Sequence, residues 1–350
     1  MEQWQKQLRN SIFNVDQLPA RFGCNTEEMR RVAAVYPFRV TEYYLGLIKE
    51  FGDPLWLQCI PDPRELDDDR QLPDPLHESR LSPLPGLIHR YPDRVVWLVS
   101  QSCAMYCRFC MRKRHVGCGG EQVCREDDAV DYITEYPAIR DVVLSGGDPL
   151  LLEDDRLEQI LTRLRRIPHV EIIRIGTRLP VTLPQRVTRK LCRMLKKYQP
   201  VYINTHFNHP AEITEASAQA CGMLAECGSP LGNQTVLLKG VNDDPQTMKR
   251  LMQHLLRIRV RPYYLHQIDL VRGTGHFRTS IAKGLEIMEK LRGHTSGLAV
   301  PYFMIDLPGG KGKVPLVPGQ VNIRSDALLL KNYLGETVEY LNVADGEDTG

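Results

Sequence analysis

From residue 95 onward, the sequence alternates short apolar runs with longer amphipathic segments. The apolar runs have the length and composition of β-strands and cover residues 95–99, 141–144, 171–175, 201–204, 234–238 and 261–264. Helix candidates between them include residues 154–166, 184–197, 212–227 and 244–257. Successive strand–helix units favour parallel strands joined by helical crossovers. The predicted fold is therefore α/β, a partial (β/α)6 barrel of the TIM-like type.

The segments on either side of this rhythm have a different character. Residues 1–50 carry helical patterning, with Thr26-Glu27-Glu28 at the start of a capped helix. Residues 53–93 are rich in Pro, Asp and Arg, which predicts an extended connection rather than regular structure. We therefore divide the chain into an N-terminal helical and extended region (1–92), a barrel core (93–270) and a C-terminal extension (271–350).

Composition narrows the class of protein. Hydrophobic residues make up 42% and charged residues 25% of the 350, which is typical of a soluble globule and excludes wholesale disorder. The net charge of +2 gives no indication of a nucleic-acid partner. No uncharged run approaches the ~20 apolar residues of a membrane helix, and the first residues lack the apolar core of a secretory signal. We expect a cytoplasmic protein with neither a nucleic-acid nor a membrane partner.

Three of the ten cysteines lie within eight residues. Cys103, Cys107 and Cys110 form a CX3CX2C motif directly after the first predicted strand. Zinc ribbons use paired CX2C knuckles instead. Three thiolates supply three of the four ligands of a [4Fe–4S] cluster and leave one iron open to a ligand that is not protein. Cys118 and Cys124 lie nearby in the sequence and are alternative ligands.

The loops after the other predicted strands are also rich in polar and glycine residues. In α/β barrels, chemistry gathers on the loops at the carboxyl ends of the strands. The polar segments at these positions are residues 145–149, 176–178, 205–209, 239–243 and 265–269. Their common placement predicts one active site at this end of the barrel.

Beyond the cysteine motif, the chain resembles the lysine 2,3-aminomutase family of radical S-adenosylmethionine (SAM) enzymes. The resemblance runs from about residue 60 to about residue 320. It is carried by residues 89–94, 103–114, 145–150, 204–210, 231–234, 276–279, 291–297 and 306–313. A CX3CX2C motif alone specifies only the superfamily, whereas this ordered set is specific to the family.

The resemblance implies an isomerase, an intramolecular aminotransferase that converts L-lysine to β-lysine. In this family a [4Fe–4S] cluster and SAM generate a 5′-deoxyadenosyl radical, which removes hydrogen from the β-carbon. The amino group, held by pyridoxal phosphate (PLP), then moves from C2 to C3. The cofactors carry the chemistry, and the protein positions them and excludes water.

The resemblance also assigns cofactor residues. Cys103, Cys107 and Cys110 are the metal ligands, and Lys313 is the catalytic lysine that binds PLP, chosen over Lys311 because the family places this lysine just before a Val-Pro dipeptide. We expect its setting to suppress its charge. The PLP phosphate is assigned to Arg90 and Arg94. SAM is assigned to Ser145, Gly146, Gly147, Asp148, His206 and Gln234. The alternative roles are a solvated turn for Lys313, surface charge for Arg90 and Arg94, and a helix cap for Asp148.

The substrate residues implied by the resemblance are Arg112, Asp269 and Asp306. Arg112 grips the substrate carboxylate; its alternative is an ion pair that supports the cysteine loop. Asp269 and Asp306 match the pair that binds the ε-ammonium of lysine, whereas the glutamate 2,3-aminomutases have Lys- and Asn-like residues there. Burying an ammonium requires counter-charge, so two aspartates point to a cationic amino acid.

Partners and departures from the family pattern complete the expectations. Lys113 and Arg114 suggest a basic surface for a flavodoxin- or ferredoxin-type electron donor. No cysteine follows Cys227, so we expect no intersubunit zinc, and the homo-oligomeric state is left open. His266 stands where the lysine enzymes usually have tyrosine. The stretch around His266 looks more like the relatives that make (R)-β-lysine for elongation factor P. Alternative functions are that variant, or an aminomutase of another cationic amino acid. A structural metal module would explain the cysteines but not Arg90, Lys313 and the two aspartates.

Overall fold

A curved sheet of nine strands organises the computed structural model, which describes residues 2–68, 71–118, 124–317, 322–323, 327–331 and 336–342. The strands follow one another in sequence order across the sheet. They are β1 (Leu87–Tyr91), β2 (Arg94–Ser100), β3 (Asp141–Gly146), β4 (Ile172–Gly176), β5 (Val201–Thr205), β6 (Leu231–Leu237), β7 (Arg261–Gln267), β8 (Tyr302–Asp306) and β9 (Lys313–Pro315). Strands β2 to β8 are parallel, and β1 and β9 pair antiparallel at the two edges.

The predicted α/β fold is confirmed, because all six predicted strands form as β2 to β7. The structure adds a seventh parallel strand, β8, and the two edge strands. The sequence prediction stopped at six because it read only strands that are followed by a helical pattern. Strand β8 has no such helix after it; it leads through a glycine-rich turn into the antiparallel strand β9.

The helices pack on the outer face of the sheet or form the N-terminal region. They are α1 (Gln3–Arg9), α2 (Thr26–Val35), α3 (Glu42–Leu47), α4 (Pro54–Cys59), α5 (Glu126–Glu135), α6 (Asp154–Arg165), α7 (Leu179–Thr182), α8 (Arg189–Lys196), α9 (Glu215–Glu226), α10 (Pro245–Arg257) and α11 (Ile281–Leu291). Helix α8 is shorter than predicted because residues 184–186 form a separate 3-10 turn and Thr188 caps the helix by accepting from the Leu191 N–H. A second, three-stranded antiparallel sheet contains β10 (Asn322–Ile323), β11 (Ala327–Lys331) and β12 (Thr337–Leu341).

The expectation of an extended connection at residues 53–93 is wrong in two places. Helix α4 begins at Pro54, where the Asp53 carboxylate accepts hydrogen bonds from the N–H groups of Leu55 and Trp56. Strand β1 forms because it pairs with β2, and no local pattern within residues 53–93 predicts this pairing. The rest of the segment is irregular, and its acidic residues reach the site described below.

The edges of the main sheet meet across its opening. Arg90 on β1 lies 3.1 Å from Asp306 on β8, and the backbone N–H of Lys313 on β9 donates to the Tyr91 hydroxyl at 2.8 Å. The sheet is therefore curled into a nearly closed barrel. It runs across both proposed segment boundaries, so the division at residues 92 and 270 stays a prediction.

Across the ranges that the structure describes, we find no helix with the length and apolar character needed to cross a membrane.

Helix α11 packs on β8 at Gly284, where a Cβ atom would overlap the Phe303 ring. We expect Gly284→Ala to lower the free energy of unfolding by about 1–3 kcal/mol, because an added methyl overpacks the core. Urea denaturation measures this change. Gly46→Ala, at an exposed position of α3 where nothing lies within 4 Å of the added Cβ, is the matched control and should stabilise by up to about 1 kcal/mol. Recovery of stability in Gly284→Ala/Phe303→Leu would locate the clash, and additive losses would contradict it.

Candidate active site

The loop after β2 presents the three clustered cysteines as free thiols. Cys103, Cys107 and Cys110 are partly buried, and the loop around them has no regular secondary structure. Its backbone is held from the N-terminal region: the Tyr106 N–H donates to the Arg39 carbonyl, and the Arg39 guanidinium donates to the Cys103 carbonyl at 3.0 Å. The position of the cysteines is therefore fixed by contacts with other parts of the chain.

A buried ion cluster holds the same loop from a second side. Arg108 donates to both carboxylate oxygens of Glu65, at 2.8 and 2.5 Å, and Lys113 donates to Glu65 and to the Gly273 carbonyl. Arg114 pairs with Asp74 at 3.0 Å. The suggestion that Lys113 and Arg114 offer a basic surface to an electron donor is wrong for Lys113, which is buried, and Arg114 is already neutralised.

The donor set fits a [4Fe–4S] cluster. Burial, with the neighbouring Cys107, raises the pKa of Cys110 to about 11, and burial also raises that of Cys103, so binding iron would release protons. Within the described residues, no three His, Cys, Asp or Glu side chains converge on a single metal ion. A cubane cluster does not require this, because each thiolate binds a different iron.

The two alternative cysteine ligands contact groups other than the three clustered thiols. Cys118 is exposed, and its sulfur contacts the Lys113 carbonyl at 3.9 Å. Cys124 is buried in the hydrophobic core and interacts with Trp97. The contacts of both therefore favour the three-cysteine set.

Gly146 and Gly147 bring the loop after β3 against the cysteine loop. Gly146 has a positive φ of 121°, and a Cβ on either glycine would overlap the backbone of Ser100 or Ser102. The Gly147 N–H donates to the Ser100 carbonyl at 2.6 Å. These contacts explain the glycines by packing between two loops, and contact of Gly146 and Gly147 with SAM stays a prediction.

Asp148 is occupied by hydrogen bonds from the protein. Its carboxylate accepts from the Thr177 hydroxyl at 2.7 and 2.9 Å, from the Arg178 N–H at 2.7 Å and from the Leu150 N–H at 3.1 Å. Burial nevertheless raises the pKa of Asp148 to about 6. This geometry matches the capping alternative, and a role for Asp148 in binding SAM stays a prediction.

His206 and Gln234 differ in how fully they are satisfied. The His206 ring lies 5.4 Å from Phe109 of the cysteine loop, and its buried Nε2 has no hydrogen-bond partner in the described structure. Burial, with the nearby Arg178, lowers the pKa of His206 well below its usual value, so the ring is neutral. The Gln234 amide donates to the Tyr263 hydroxyl. An unpaired, buried ring nitrogen beside the cysteine loop fits a ligand such as SAM.

Asp306 is the centre of a charged network where β8 meets both edges of the sheet. It contacts Lys313 Nζ, lies 3.1 Å from Arg90 Nη1 and is 3.8 Å from His266 Nδ1. The Arg90 Nε and His266 Nε2 atoms are buried without a partner in the described structure, so each has a free hydrogen-bonding site. Arg90 and Lys313 therefore fit a phosphate and a carbonyl of PLP, which need a fork of donors and an amine.

Arg94 lies outside this network. It stacks over the Tyr91 ring at 4.0 Å and lies 3.5 Å from Asp93, and its side chain remains 37% exposed. These contacts match surface charge, the alternative considered for Arg94, and its assignment to the PLP phosphate stays a prediction.

The expectation that the setting of Lys313 suppresses its charge is wrong. Burial alone would lower the pKa of Lys313, but the adjacent Asp306 carboxylate outweighs it and raises the pKa. The same contact, with His266 and Arg90, lowers the pKa of Asp306 against the effect of burial. Sequence reasoning put Lys313 in a glycine-rich loop, whereas Lys313 begins strand β9 directly after that loop. It could not show that Asp306, seven positions earlier, contacts the lysine.

Asp269 and Arg112 line the same region. Burial and the Asp306 carboxylate raise the pKa of Asp269 to about 7. Arg112 is fixed by a bidentate pair with Glu78, at 3.0 and 2.7 Å, and donates to the Ser145 hydroxyl at 3.2 Å. Arg112 therefore makes the ion pair that was considered as its alternative role. It also lies near enough to Asp269 for the two charges to interact.

Several residues of the site were missed by sequence reasoning. They are Glu65, Glu78, Glu212, Gln58 and Tyr263. A signal for the first two exists: four basic residues stand between positions 108 and 114, and a loop that packs them needs buried acids elsewhere. Arg178 lies in the polar segment 176–178, which the sequence placed at the active-site end of the barrel without giving this residue a role.

Comparison with known proteins decides the family. The radical SAM superfamily model matches residues 97–252, and the lysine-2,3-aminomutase model matches residues 288–347. The L-lysine 2,3-aminomutase of Clostridium subterminale is 52% identical over 96% of this chain and 83% of its own length. The chain belongs to the lysine 2,3-aminomutase family. Another relative, the L-lysine 2,3-aminomutase of Fusobacterium nucleatum, is 50% identical over 96% of this chain and 81% of its own.

Family membership confirms the resemblance and the prediction of an isomerase. It also implies a [4Fe–4S] cluster and SAM, which the cysteine loop fits. The family includes more than one substrate class, since the glutamate 2,3-aminomutase of Clostridioides difficile is 46% identical over 95% of this chain and 81% of its own length.

The raised pKa of Asp269 predicts a pH-dependent stability of the cofactor-free protein. The native state keeps this proton up to about pH 7, whereas the unfolded chain loses it near pH 4, so the native state binds more protons between these values. Stability of the wild type should therefore fall, relative to Asp269→Asn, as pH rises through this window, and the difference should level off above pH 7.

Urea denaturation at several pH values measures this difference. Asp244→Asn is the control, because hydrogen bonding to the Thr247 N–H lowers the pKa of Asp244, so its titration lies below the window. Parallel curves for the wild type and Asp269→Asn from pH 4 to 8 would contradict the prediction.

Proposed function

We propose that this chain is a PLP-dependent 2,3-aminomutase that converts L-lysine to β-lysine. The observation that carries the proposal is the pair of carboxylates on Asp269 and Asp306, beside Lys313. Asp306 contacts Lys313, and burial together with the Asp306 carboxylate raises the pKa of Asp269, which supports one shared region for the two carboxylates. Family membership supplies the reaction class, and these carboxylates support the substrate.

A cationic substrate would supply positive counter-charge to this pair of carboxylates. Burial and, after it, the nearby Asp306 carboxylate raise the pKa of Asp269 to about 7, and the positive charges of Lys313 and Arg90 offset this only in part. A substrate ammonium placed between the two carboxylates would supply that charge and lower the pKa of Asp269. The γ-carboxylate of glutamate would instead add a third negative charge, which is strongly unfavourable in a desolvated site.

Arg112 is the proposed partner of the substrate α-carboxylate. Glu78 takes its Nε and Nη2 donors, and Ser145 takes one donor of Nη1. A guanidinium has five N–H groups, so donors remain on its terminal nitrogens. Because Glu78 fixes the plane of the guanidinium, these donors are held in one orientation, which suits end-on binding of a second carboxylate.

The remaining assignments concern the cofactors. Cys103, Cys107 and Cys110 would hold the cluster; Ser145, Gly146, Gly147, Asp148, His206 and Gln234 are the proposed SAM residues; and Arg90, Arg94 and Lys313 are the proposed PLP residues. When bound, the reduced cluster and SAM supply a carbon radical, and PLP supplies an aldehyde that reacts with amines.

The chain's own groups have defined tasks around Lys313. Its amine must lose a proton before it can act as a nucleophile, and Asp306, which contacts Nζ, holds the amine in position while its charge keeps that proton on the lysine. Arg90 then keeps the Asp306 carboxyl group in position through its 3.1 Å contact. The curled sheet around these residues limits the access of water to a reactive radical.

The reaction also needs a one-electron donor, and we propose a flavodoxin- or ferredoxin-type protein in the cytoplasm. All ten cysteines are free thiols, which fits a reducing compartment.

Activity is tested by reconstituting the protein anaerobically with iron, sulfide and PLP and adding SAM, dithionite and L-lysine. Chiral chromatography should show β-lysine, and L-glutamate in place of L-lysine should give no β-amino acid. The product enantiomer distinguishes the metabolic activity from the elongation factor P type, whose members this chain resembles around His266. Formation of 5′-deoxyadenosine without β-lysine would overturn the substrate assignment. Absence of both products in protein with a full cluster would overturn the reaction itself.

Lys313→Ala tests the PLP assignment. We expect loss of the visible absorption band of lysine-bound PLP and loss of turnover by at least about 10³-fold, because no other amine replaces the nucleophile. Iron content should be unchanged. Lys311→Ala, in the turn two positions before Lys313, is the matched control and should retain the band. A band that survives in Lys313→Ala and disappears in Lys311→Ala would reassign the lysine.

A further inference from the structure

Arg178 is a buried arginine with no role in the assignments above. It follows β4 and directly precedes helix α7, on the same edge of the sheet as the cysteine loop. Its residue exposure is 7%. A buried guanidinium is costly unless every donor finds a partner, so its contacts define what it does.

One of these contacts is a cysteine sulfur. Arg178 Nη1 donates to Cys107 Sγ at 2.9 Å. Three further donors are also satisfied: Nη2 donates to Glu212 Oε1 at 2.8 Å and to Gln58 Oε1 at 2.5 Å, and Nε donates to the His206 carbonyl at 3.1 Å. The guanidinium therefore joins the central cysteine of the motif to helix α4 and to the segment between β5 and α9.

The position of this guanidinium is tightly restrained. It lies 5.1 Å from the Phe109 ring and 5.9 Å from the Tyr44 ring. Its counter-ion Glu212 is fully buried and accepts from the Tyr44 hydroxyl at 2.8 Å and from the Asn208 N–H at 2.6 Å. Arg178 cannot move away from Cys107 without breaking several of these contacts, so the sulfur faces a fixed positive charge.

Other buried arginines near the barrel do not share this feature. Arg39 reaches the carbonyl of Cys103 rather than its sulfur. Arg186 binds the Leu150 and Leu152 carbonyls and pairs with Asp154. In the part of the chain that the structure describes, Arg178 is the arginine that donates to a sulfur of the cysteine motif.

We propose that Arg178 is a positioning residue for the iron–sulfur cluster, which fixes the Cys107 sulfur and makes the cluster easier to reduce. The inference rests on the proposed function, because it requires Cys107 to be a cluster ligand. Reduction adds one electron from the external donor to the cluster, so the net charge of the cluster falls by one. A hydrogen bond and a positive charge at a ligand sulfur stabilise that more negative state and raise the reduction potential.

The effect of Glu212 has the opposite sign. Its carboxylate offsets part of the Arg178 charge at 2.8 Å. Removing the negative charge while keeping the arginine should leave the sulfur facing a less compensated cation. Two substitutions in one ion pair are therefore expected to move the potential in opposite directions, which a purely structural role for the pair would not produce.

The test uses the full chain reconstituted with iron and sulfide, as wild type and as Arg178→Gln, Arg178→Lys and Glu212→Gln. Iron and sulfide content establish cluster loading, and a redox titration followed by electron paramagnetic resonance gives the midpoint potential. Arg186→Lys is the matched control, because it alters a buried, ion-paired arginine that donates to the Leu150 and Leu152 carbonyls rather than to the cysteine motif.

We expect Arg178→Gln to lower the reduced-to-oxidised ratio about tenfold at a fixed ambient potential, a shift of about 59 mV to more negative values for a one-electron couple. Arg178→Lys should shift less in the same direction, Glu212→Gln should shift to more positive values, and Arg186→Lys should not shift. If Arg178→Gln does not fold, the opposite shifts of Arg178→Lys and Glu212→Gln decide the matter.

Wild-type potentials in loaded Arg178→Lys and Glu212→Gln would overturn the inference and leave the proposed function intact. Failure of the wild type itself to take up a cluster would overturn both, and iron analysis distinguishes the two results.

Discussion

Buried ion pairs hold the loop that carries the three cysteines. This loop has no regular secondary structure, so its backbone is not fixed by a helix or a ladder of its own. Glu65 pairs with both Arg108 and Lys113, Glu78 pairs with Arg112, and Glu212 pairs with Arg178. Removing one partner from a buried pair typically costs about 3–5 kcal/mol, so each pair strongly penalises any arrangement of the loop that separates its members.

A second set of charges lies where the edges of the barrel meet. Asp306 on β8 contacts Arg90 from β1 and Lys313 from β9, and thus joins the first strand of the sheet to the last two. The residues that close the barrel are also the residues proposed to bind the substrate and PLP. Closure of the sheet and assembly of the site therefore depend on the same interactions, and the neutral His266 ring beside them adds no competing charge.

The sequence predicted much of the fold because local patterns report burial. Strands β2 to β7 coincide with short apolar runs in the sequence, and the polar segments that follow them lie at one end of the barrel. The prediction was wrong for residues 53–93, where β1 depends on pairing with β2, and it omitted β8. It also described Lys113 as a surface cation, because a basic residue in a polar loop gives no local sign that Glu65, 48 positions earlier, will bury it.

The sequence by itself determined the residue types of the site, their order and the family to which they belong. The motif of three cysteines can be read from its spacing, and the two aspartates and Lys313 can be identified through the resemblance to the family. Only the tertiary structure decided which charges meet. It placed Asp306 on Lys313, which raises rather than lowers the pKa of the lysine, and it placed Arg178 on the Cys107 sulfur, 71 positions away. The physical reason is that electrostatic energy depends on distance and burial in space, and neither quantity follows from separation along the chain.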